Sequence, residues 1–547
     1  MIAEVAITLY PEQENDKSFI SNQILKELKK NGITVPKNEP LTYHVIKKSI
    51  DARHGRQKFF VRYKVCAGKS HDEETFALPE WKTADGDKSV LIIGSGPAGL
   101  FAALKLLEHG IQPVIIERGR ETGARKRSIA AISTKGEVDP DSNYCFGEGG
   151  AGTFSDGKLY TRSNKRGDIR RILSIFRHFG ADERILTDAH PHIGTDRLPA
   201  IINSMRERIL SSGGKIFFST RCTDFIMDSG TIRGIRCVHT ETGMERDFFS
   251  DAVILASGHS AGDIYALLSR IAPSSLEAKT FAMGVRVEHP REIIDRVQYH
   301  GGAGGADLGA AEYRFTSQQE GRGVYSFCMC PGGFVVPSAT SPGQTVVNGM
   351  SAARRNGRWS NAAFVVETRP CDVPDEFKEK AERAGTPQLA GLEYRTWLEE
   401  ESFRQAQNAR CGKEYQSAPA QRLEDFLRER ESLSLPETSY APGIVPSALH
   451  EWMPHHISSR LRAGLSEAGR KMPGFICKEA VLIASETRTS TPVRILRHKE
   501  TMESTAIKRL YPAGEGSGYS GGIVSSAMDG EACAEKIAQA LGAKTLD

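Results

Sequence analysis

The chain has 547 residues, 39% hydrophobic and 26% charged, with 53 glycines and 25 prolines; at about 150 residues per domain it makes three to four domain-sized units, and a collagen-like or disordered polypeptide is excluded. Its formal net charge of +4, from 72 basic and 68 acidic side chains, is too small over this length to argue for nucleic acid or anionic lipid. Ten widely spread cysteines do not make the dense disulfide framework of a small secreted domain, so a reducing, cytoplasmic setting is expected.

The start, Met1-Ile2-Ala3-Glu4, lacks the basic-then-apolar order of a secretion signal. Residues 3–9, 41–49 and 58–65 read as strands and 17–30 as a helix, a β-α-β-β unit. Between residues 29 and 64 ten Lys and Arg face only Glu39 and Asp51. That basic unit reads as a phosphate-tracking face, a face docked on an acidic surface, or a solvated one. Residues 71–88 are polar and acidic and read as a solvated linker at a domain boundary. Next come a short β-branched run at 89–93, a helix to about 108, and a second apolar run at 113–117, one β-α-β unit. The most apolar stretch, 90–107, is interrupted by glycines and Lys105 and reads as core, with no membrane span. Farther on, 198–212 is helical, 215–219 a strand, 231–249 hairpin-like, and 252–256 a buried strand. Residues 276–477 mix Gly-rich turns and apolar strands with a charged helical stretch over 374–430, and no fixed-period repeat is present. A strand at 508–513 and a helix to about 541 close the chain.

Gly94-Ser95-Gly96-Pro97-Ala98-Gly99 follows a strand and opens a helix, and Glu117 lies 18 residues after Gly99. That is the context of a dinucleotide fingerprint. Gly94 serves the tight turn, Gly96 the backbone's approach to a pyrophosphate, and Gly99 close helix–strand packing, while Glu117 accepts from a ribose hydroxyl. NAD and FAD share this signature. Near the C-terminus Gly514-Glu515-Gly516-Ser517-Gly518-Tyr519-Ser520-Gly521-Gly522-Ile523 joins a strand to a helix. Gly516, Gly518 and Gly521 satisfy the same spacing formally, but too few residues follow here for a second nucleotide site. This late helix reads instead as pointing its positive end at an electron-accepting ring, as a flavin requires. The strand over 252–256 ends in Ser257-Gly258-His259, small residues where a chain passes close to a cofactor or simply turns. The run over 147–158 has five glycines in twelve positions; it either cradles phosphate or a flavin ring, through Gly149, Gly150 and Thr153 among others, or is a surface loop.

Cys328 and Cys330 form a C-x-C pair, and strand alternation places both on one face, toward a ligand as redox thiols or toward the core as small residues. His190, His192 and Asp196 read as a proton relay or as structural residues of a turn. Arg488 and Arg494 read as anchors for an anionic substrate or as interdomain ion pairs. No His/Cys cluster has zinc-site spacing, and no metal is expected.

These stretches resemble the uncharacterised bacterial FAD-dependent dehydrogenase, or NAD(FAD)-utilising dehydrogenase, family. The resemblance also rests on Lys48-Ser49-Ile50-Asp51-Ala52-Arg53, Pro191-His192-Ile193-Gly194-Thr195-Asp196, Tyr325-Ser326-Phe327-Cys328-Met329-Cys330-Pro331-Gly332-Gly333, Asn348-Gly349-Met350-Ser351 and Glu486-Thr487-Arg488-Thr489-Ser490-Thr491-Pro492-Val493-Arg494-Ile495, and spans nearly the whole chain. It implies α/β plus α+β architecture: a Rossmann-like, glutathione-reductase-like FAD domain built from residues 86–275 and 478–547, a substrate domain inserted at 276–477, and a ferredoxin-like domain with its linker at 1–85. It also implies FAD, held by residues 94–99, Glu117, Arg118, Arg125, the main chain at Cys222, Gly258, Gly514, Glu515, Gly521, Gly522 and Ile523. Arg125 would meet a phosphate or ribose, Cys222 adenine, and Gly514, Glu515, Gly522 and Ile523 the ribityl chain and ring. Many relatives of the broader fold carry Asp where this chain has Glu515. The expected activity is hydride transfer through FAD on a small organic substrate, with Cys328, Cys330, His192 and Arg488 as reaction candidates. NAD(P)H would dock only transiently, since no separate nicotinamide fold is visible. The competing readings are an RNA-associated flavoprotein using the basic N-terminal unit, and a flavin-holding sensor without turnover.

Overall fold

The structure, a computed structural model, describes residues 2–35, 41–52, 57–67, 78–161, 167–300, 308–408 and 416–543. Lys37, Arg53, Arg56, Cys411 and residues 71–77 of the expected linker lie outside the described residues.

Helix Lys17–Lys30 packs Ile20, Ile24 and Leu28, spaced four apart, onto a three-stranded antiparallel sheet of Ile2–Leu9, Lys58–Ala67 and Leu41–Asp51. Val5, Ile7 and Leu9 alternate inward and meet Phe59, Val61, Tyr63 and Val65. The unit is thus β-α-β-β. Among the described residues it lacks the second helix and fourth strand of a full ferredoxin-like domain, which corrects that expectation. Three of its basic residues are paired locally, Lys30 with Glu27, Lys48 with Glu14 and Arg62 with Glu4. Lys48 also joins the body through its backbone, with Lys48 N to Thr187 O and Ala189 N to Lys48 O both at 2.8 Å.

The described part of the expected linker is largely exposed, as expected, but is anchored to the body at two points. Trp81 packs on Phe179 with ring centroids 5.4 Å apart, and Ala84 N donates to Ser212 O at 3.0 Å.

Leu510–Pro512, Ala252–Leu255, Ser89–Ile93, Gln112–Ile116 and Lys215–Phe217 lie side by side in that order, all parallel. Strands covered on both faces read as continuous apolar runs, as Ser89–Ile93 and Ala252–Leu255 do. Helix Pro97–Glu108 is buried on nearly every side and packs against the C-terminal helix Ile523–Ala540. A Cβ on Gly530 would lie 2.0 Å from Ala98 O, so this crossing requires glycine. A separate antiparallel sheet of Thr220–Asp228, Thr231–His239 and Glu245–Phe249 flanks the parallel one.

The remaining large sheet orders Thr316–Gln319, Arg322–Pro337, Trp359–Thr368, Phe281–Pro290, Val481–Glu486, Ala418–Arg422 and Ile444–Pro446, with Val347–Met350 paired to Arg322–Pro337. Strand Val481–Glu486 sits in its middle, so this sheet draws on residues beyond the expected 276–477 insert. The charged stretch over 374–430 is not one helical run: Asp375–Arg383, Ala390–Asn408 and Leu423–Leu427 are helices, but Ala418–Arg422 is a strand with Ala418 and Ala420 fully buried.

Candidate functional site

An elongated cleft opens at the carboxyl ends of Ser89–Ile93, Gln112–Ile116 and Ala252–Leu255. Ser89–Ile93 has its sequence neighbour Gln112–Ile116 on one side and the later Ala252–Leu255 on the other, the switch point where open α/β sheets bind ligands. The cleft continues past the 150–158 loop and Cys328 to Gly514, Glu515 and Gly521–Ile523.

The first glycine turn divides its labour. Gly94 has φ +105°, and a Cβ there would lie 2.4 Å from Ala256 O; a Cβ on Gly99 would lie 2.0 Å from Gly94 O. These two glycines let strand, turn and helix touch. Gly96 differs: its nearest neighbour would be Gly150 Cα at 3.8 Å, so it leaves backbone open to the cleft. Gly96 caps helix Pro97–Glu108 with no side-chain hydrogen bond, and Gly522 caps Ile523–Ala540 likewise. Two helix N-termini, each with orphan N–H donors and a positive end, therefore face one cleft.

Gly94, Gly96, Pro97, Ala98, Glu117, Arg118, Gly150, Cys222, Gly258, Gly514, Glu515, Gly521, Gly522, Ile523, Cys328 and Arg488 line the cleft. Ser95, Gly99, Arg125, Gly149, Thr153, Cys330 and His192 do not.

Glu117 is already occupied. Its Oε2 accepts from Ser95 N at 2.9 Å and Ser95 Oγ at 2.6 Å, and its Oε1 from Gly119 N at 2.9 Å and Gly147 N at 3.0 Å. A carboxylate has about four lone-pair sites, so Glu117 braces three loops and offers no free acceptor to a ribose. Arg118 gives Nε and Nη2 to Asp141 and Nη1 to Asp263, with Phe146 stacked 4.2 Å away.

Arg125, expected at a phosphate or ribose, is fully buried away from the cleft. Its guanidinium donates to the carbonyls of Asn143 at 2.8 Å, Tyr144 at 2.9 Å and Glu148 at 2.7 Å, and burial pulls its pKa down to about 10. Thr153 is likewise turned inward, donating to Glu148 O at 2.9 Å, and a Cβ on Gly149 would collide with its hydroxyl. Both shape the loop rather than line the site.

Arg488 reaches the cleft wall, but Nε and Nη2 hold Glu399 and Nη1 donates to Thr340 Oγ1 at 2.7 Å. Arg494 pairs with Glu277 at 2.9 Å. For both, the ion-pair reading replaces the substrate-anchor reading. The proton relay is not assembled either. His192 Nε2 donates to Ala353 O at 3.1 Å, Asp196 accepts from Ala353 N at 2.7 Å, and His190 pairs with Glu312 at 3.1 Å. Burial lowers the His192 pKa, so a neutral ring holds that turn.

Cys328 and Cys330 part company. Strand Arg322–Pro337 has irregular register between Phe327 and Cys330 and again before Gly333, and Cys328 takes φ +44°. This kink turns Cys328 to the cleft and leaves Cys330 fully buried behind it, where plain alternation expected equivalent exposure. Beside Cys328 the cleft presents Lys158, whose Nζ is 3.1 Å from Asp156, and Glu515, whose pKa burial pushes up to about 7. Lys158, His259, Asn348 and Thr489 also line the cleft; each stands in a stretch noted from sequence, but none is among the site residues expected there. Lys158 carried one signal, a lone cation ending a glycine-rich run.

Among the described residues no group of three or more His, Cys, Asp or Glu could hold a metal ion, and no helix is long and apolar enough to cross a membrane.

Three family models match: an FAD binding domain over residues 87–134, an FAD-dependent protein C-terminal domain-like family over 280–489, and a domain of unknown function over 1–66. An uncharacterized protein of Clostridium beijerinckii is 35% identical over 544 residues, spanning 96% of each chain. A fumarate reductase (CoM/CoB) polypeptide of Methanothermobacter marburgensis is 24% identical over 235 residues, 39% of this chain and 42% of that one. A solved geranylgeranyl bacteriochlorophyll reductase-like protein of Thermoplasma acidophilum is 12% identical over 83% of this chain and 79% of its own, with a TM-score of 0.33. The cofactor is FAD. The cleft suits it: Gly96, Gly258 and Gly521 face it without side chains, and an added Cβ at Gly258 or Gly521 would meet nothing within 4 Å.

Proposed function

We propose, given that the chain belongs to the family of the Clostridium beijerinckii protein, that it is an FAD-dependent oxidoreductase moving an electron pair to or from a small organic substrate. FAD supplies the electron-accepting ring. The supporting observation is the convergence of two glycine-capped helix N-termini, at Gly96 and Gly522, on one cleft that also presents Cys328, Lys158 and Glu515.

The residues divide by role. The turn over 94–98 and the N–H groups it leaves open hold the pyrophosphate, and the positive end of the helix balances its charge. The segment over 514–515 and the start of Ile523–Ala540 flank the ring, where the helix dipole favours added negative charge. Arg118 and the Cys222 main chain bound the opposite end. Arg488, Glu399 and Thr340 fix the wall between the parallel sheet and the large mixed one. Glu515 is set to exchange a proton near neutral pH.

Anaerobic mixing of the holoprotein with NADH, NADPH and a panel of small organic donors tests this reading. Bleaching of the flavin by at least one donor, and its return with an acceptor, is the expected result. A flavin that stays oxidised against every donor, and when chemically reduced stays reduced against every acceptor, overturns it in favour of a sensor without turnover.

A further inference from the structure

Cys328 and Cys330 lie two residues apart on Arg322–Pro337, yet only Cys328 meets the cleft. Cys330 Sγ lies behind it and donates to Cys328 O at 3.3 Å. Arg286, fully buried and paired with Glu486 at 2.8 Å, bridges the pair from below, with Nη1 3.2 Å from Cys328 O and 4.0 Å from Cys330 Sγ. Lys158 flanks the pair from the glycine-rich loop, with Asp156 beside it. A non-glycine residue at φ +44° is an uncommon conformation, and it recurs where a side chain must be aimed. Such a setting separates an accessible attacking thiolate from a buried resolving thiol.

The charge balance agrees with that geometry. The Cys330 side chain, with Lys158 and Arg286 nearby, outweighs burial and Asp156 and holds the Cys328 thiol below its ordinary range. The neighbouring Cys328 side chain, together with burial, pushes Cys330 well above the ordinary thiol range.

We propose that Cys328 and Cys330 are a redox-active dithiol that exchanges an electron pair with the FAD of the same chain. In the forward step the Cys328 thiolate and the Cys330 thiol form one S–S bond, and the two electrons and the Cys330 proton pass to FAD. The reverse step breaks the S–S bond and restores the thiolate and the thiol. The proposal rests on the reading of the cleft as an FAD oxidoreductase site.

The test starts from holoprotein whose FAD content has been measured and which has been cycled through reduction and reoxidation. It is titrated anaerobically with dithionite, and its thiols are mapped by alkylation and peptide mass. The wild type is expected to take up about four electrons per flavin, two for FAD and two for the disulfide couple, while Cys328→Ser and Cys330→Ser take up about two. The peptide spanning both residues is expected to lack two hydrogens after oxidation and to escape alkylation. That mapping is done on the wild type, so it decides the matter even where a serine variant fails to fold. A chain that holds FAD but takes up about two electrons, with both thiols fully alkylated, overturns the relay and leaves the flavoenzyme reading intact. A chain that holds no FAD overturns both.

Discussion

Arg488 clasps Glu399 through two parallel contacts, Nε to Oε1 at 2.9 Å and Nη2 to Oε2 at 2.7 Å, so the cation that the sequence offers to an anionic substrate is consumed inside the protein. Burial pushes the Glu399 carboxyl up, but the charges of Arg488 and Arg395 and the hydrogen bonds of Arg488 and Thr487 prevail and hold it below its usual range. Removing one partner of a buried pair costs about 3–5 kcal/mol. Arg488→Ala should lose that much in chemical denaturation at neutral pH. With the folded pKa depressed, this stabilisation is present above the unfolded carboxyl's pKa and disappears as pH falls through the folded one. An Arg488→Ala chain as stable as wild type would contradict the ion-pair role.

Gly96 and Gly99 should respond differently to the same added methyl. Gly99→Ala forces a Cβ to 2.0 Å from Gly94 O, which no rotamer relieves, and should lower stability by about 2–4 kcal/mol even without cofactor. Gly96→Ala meets nothing closer than 3.8 Å. It should fold with wild-type thermal stability in the apo form, yet retain FAD at least tenfold more weakly. Equal effects of the two changes on apo stability would refute this division.

Glu117→Ala should destabilise the apoprotein, because it strands the N–H groups of Ser95, Gly119 and Gly147. At about 1–3 kcal/mol for each stranded buried donor, with relaxation and water recovering part, a loss of about 3–5 kcal/mol is expected. A residue that only accepted from ribose would leave apo stability unchanged, so denaturation of cofactor-free protein separates the two roles.

Glu515 sets a pH signature. Burial, aided by Cys328 and opposed by Lys279, raises its carboxyl to about 7. Its folded pKa lies above the unfolded value of about 4.3, so the folded chain holds the proton more tightly. Its contribution to stability therefore falls as pH rises from about 4.3 to about 7 and is flat above. Glu515→Gln cannot ionise. The variant should match wild type near pH 4 and gain on it across that window, to about 4 kcal/mol above pH 7. Parallel pH profiles would contradict the shifted carboxyl.

What could be read from sequence was local. Strand, glycine turn and helix over 89–108 follow from a few adjacent residues, and the helix Lys17–Lys30 from its four-residue apolar spacing. The misplaced residues depend on contacts far along the chain. The resemblance implied a phosphate or ribose contact for Arg125, and nothing beside it in sequence shows the 143–148 loop, some twenty residues later, that folds back over its guanidinium. Glu117 kept its place in the cleft but lost its free acceptors to Gly119 and Gly147. Ala418–Arg422 was hidden in a charged helical stretch, since its strand state comes from pairing with Val481–Glu486 and Ile444–Pro446. Strand alternation failed at Cys328 because a kink has no period.

The cofactor-binding roles given to the 94–98 turn and to the 514–523 turn require one FAD in the cleft joining them. The decisive quantity is the FAD content of the purified chain, from its visible spectrum and the mass of the released cofactor, for wild type beside Gly96→Val. One FAD per wild-type chain and almost none in a folded Gly96→Val chain is the expected result. A colourless wild type that takes up no FAD when it is supplied, or a Gly96→Val chain that retains a full complement, would contradict it.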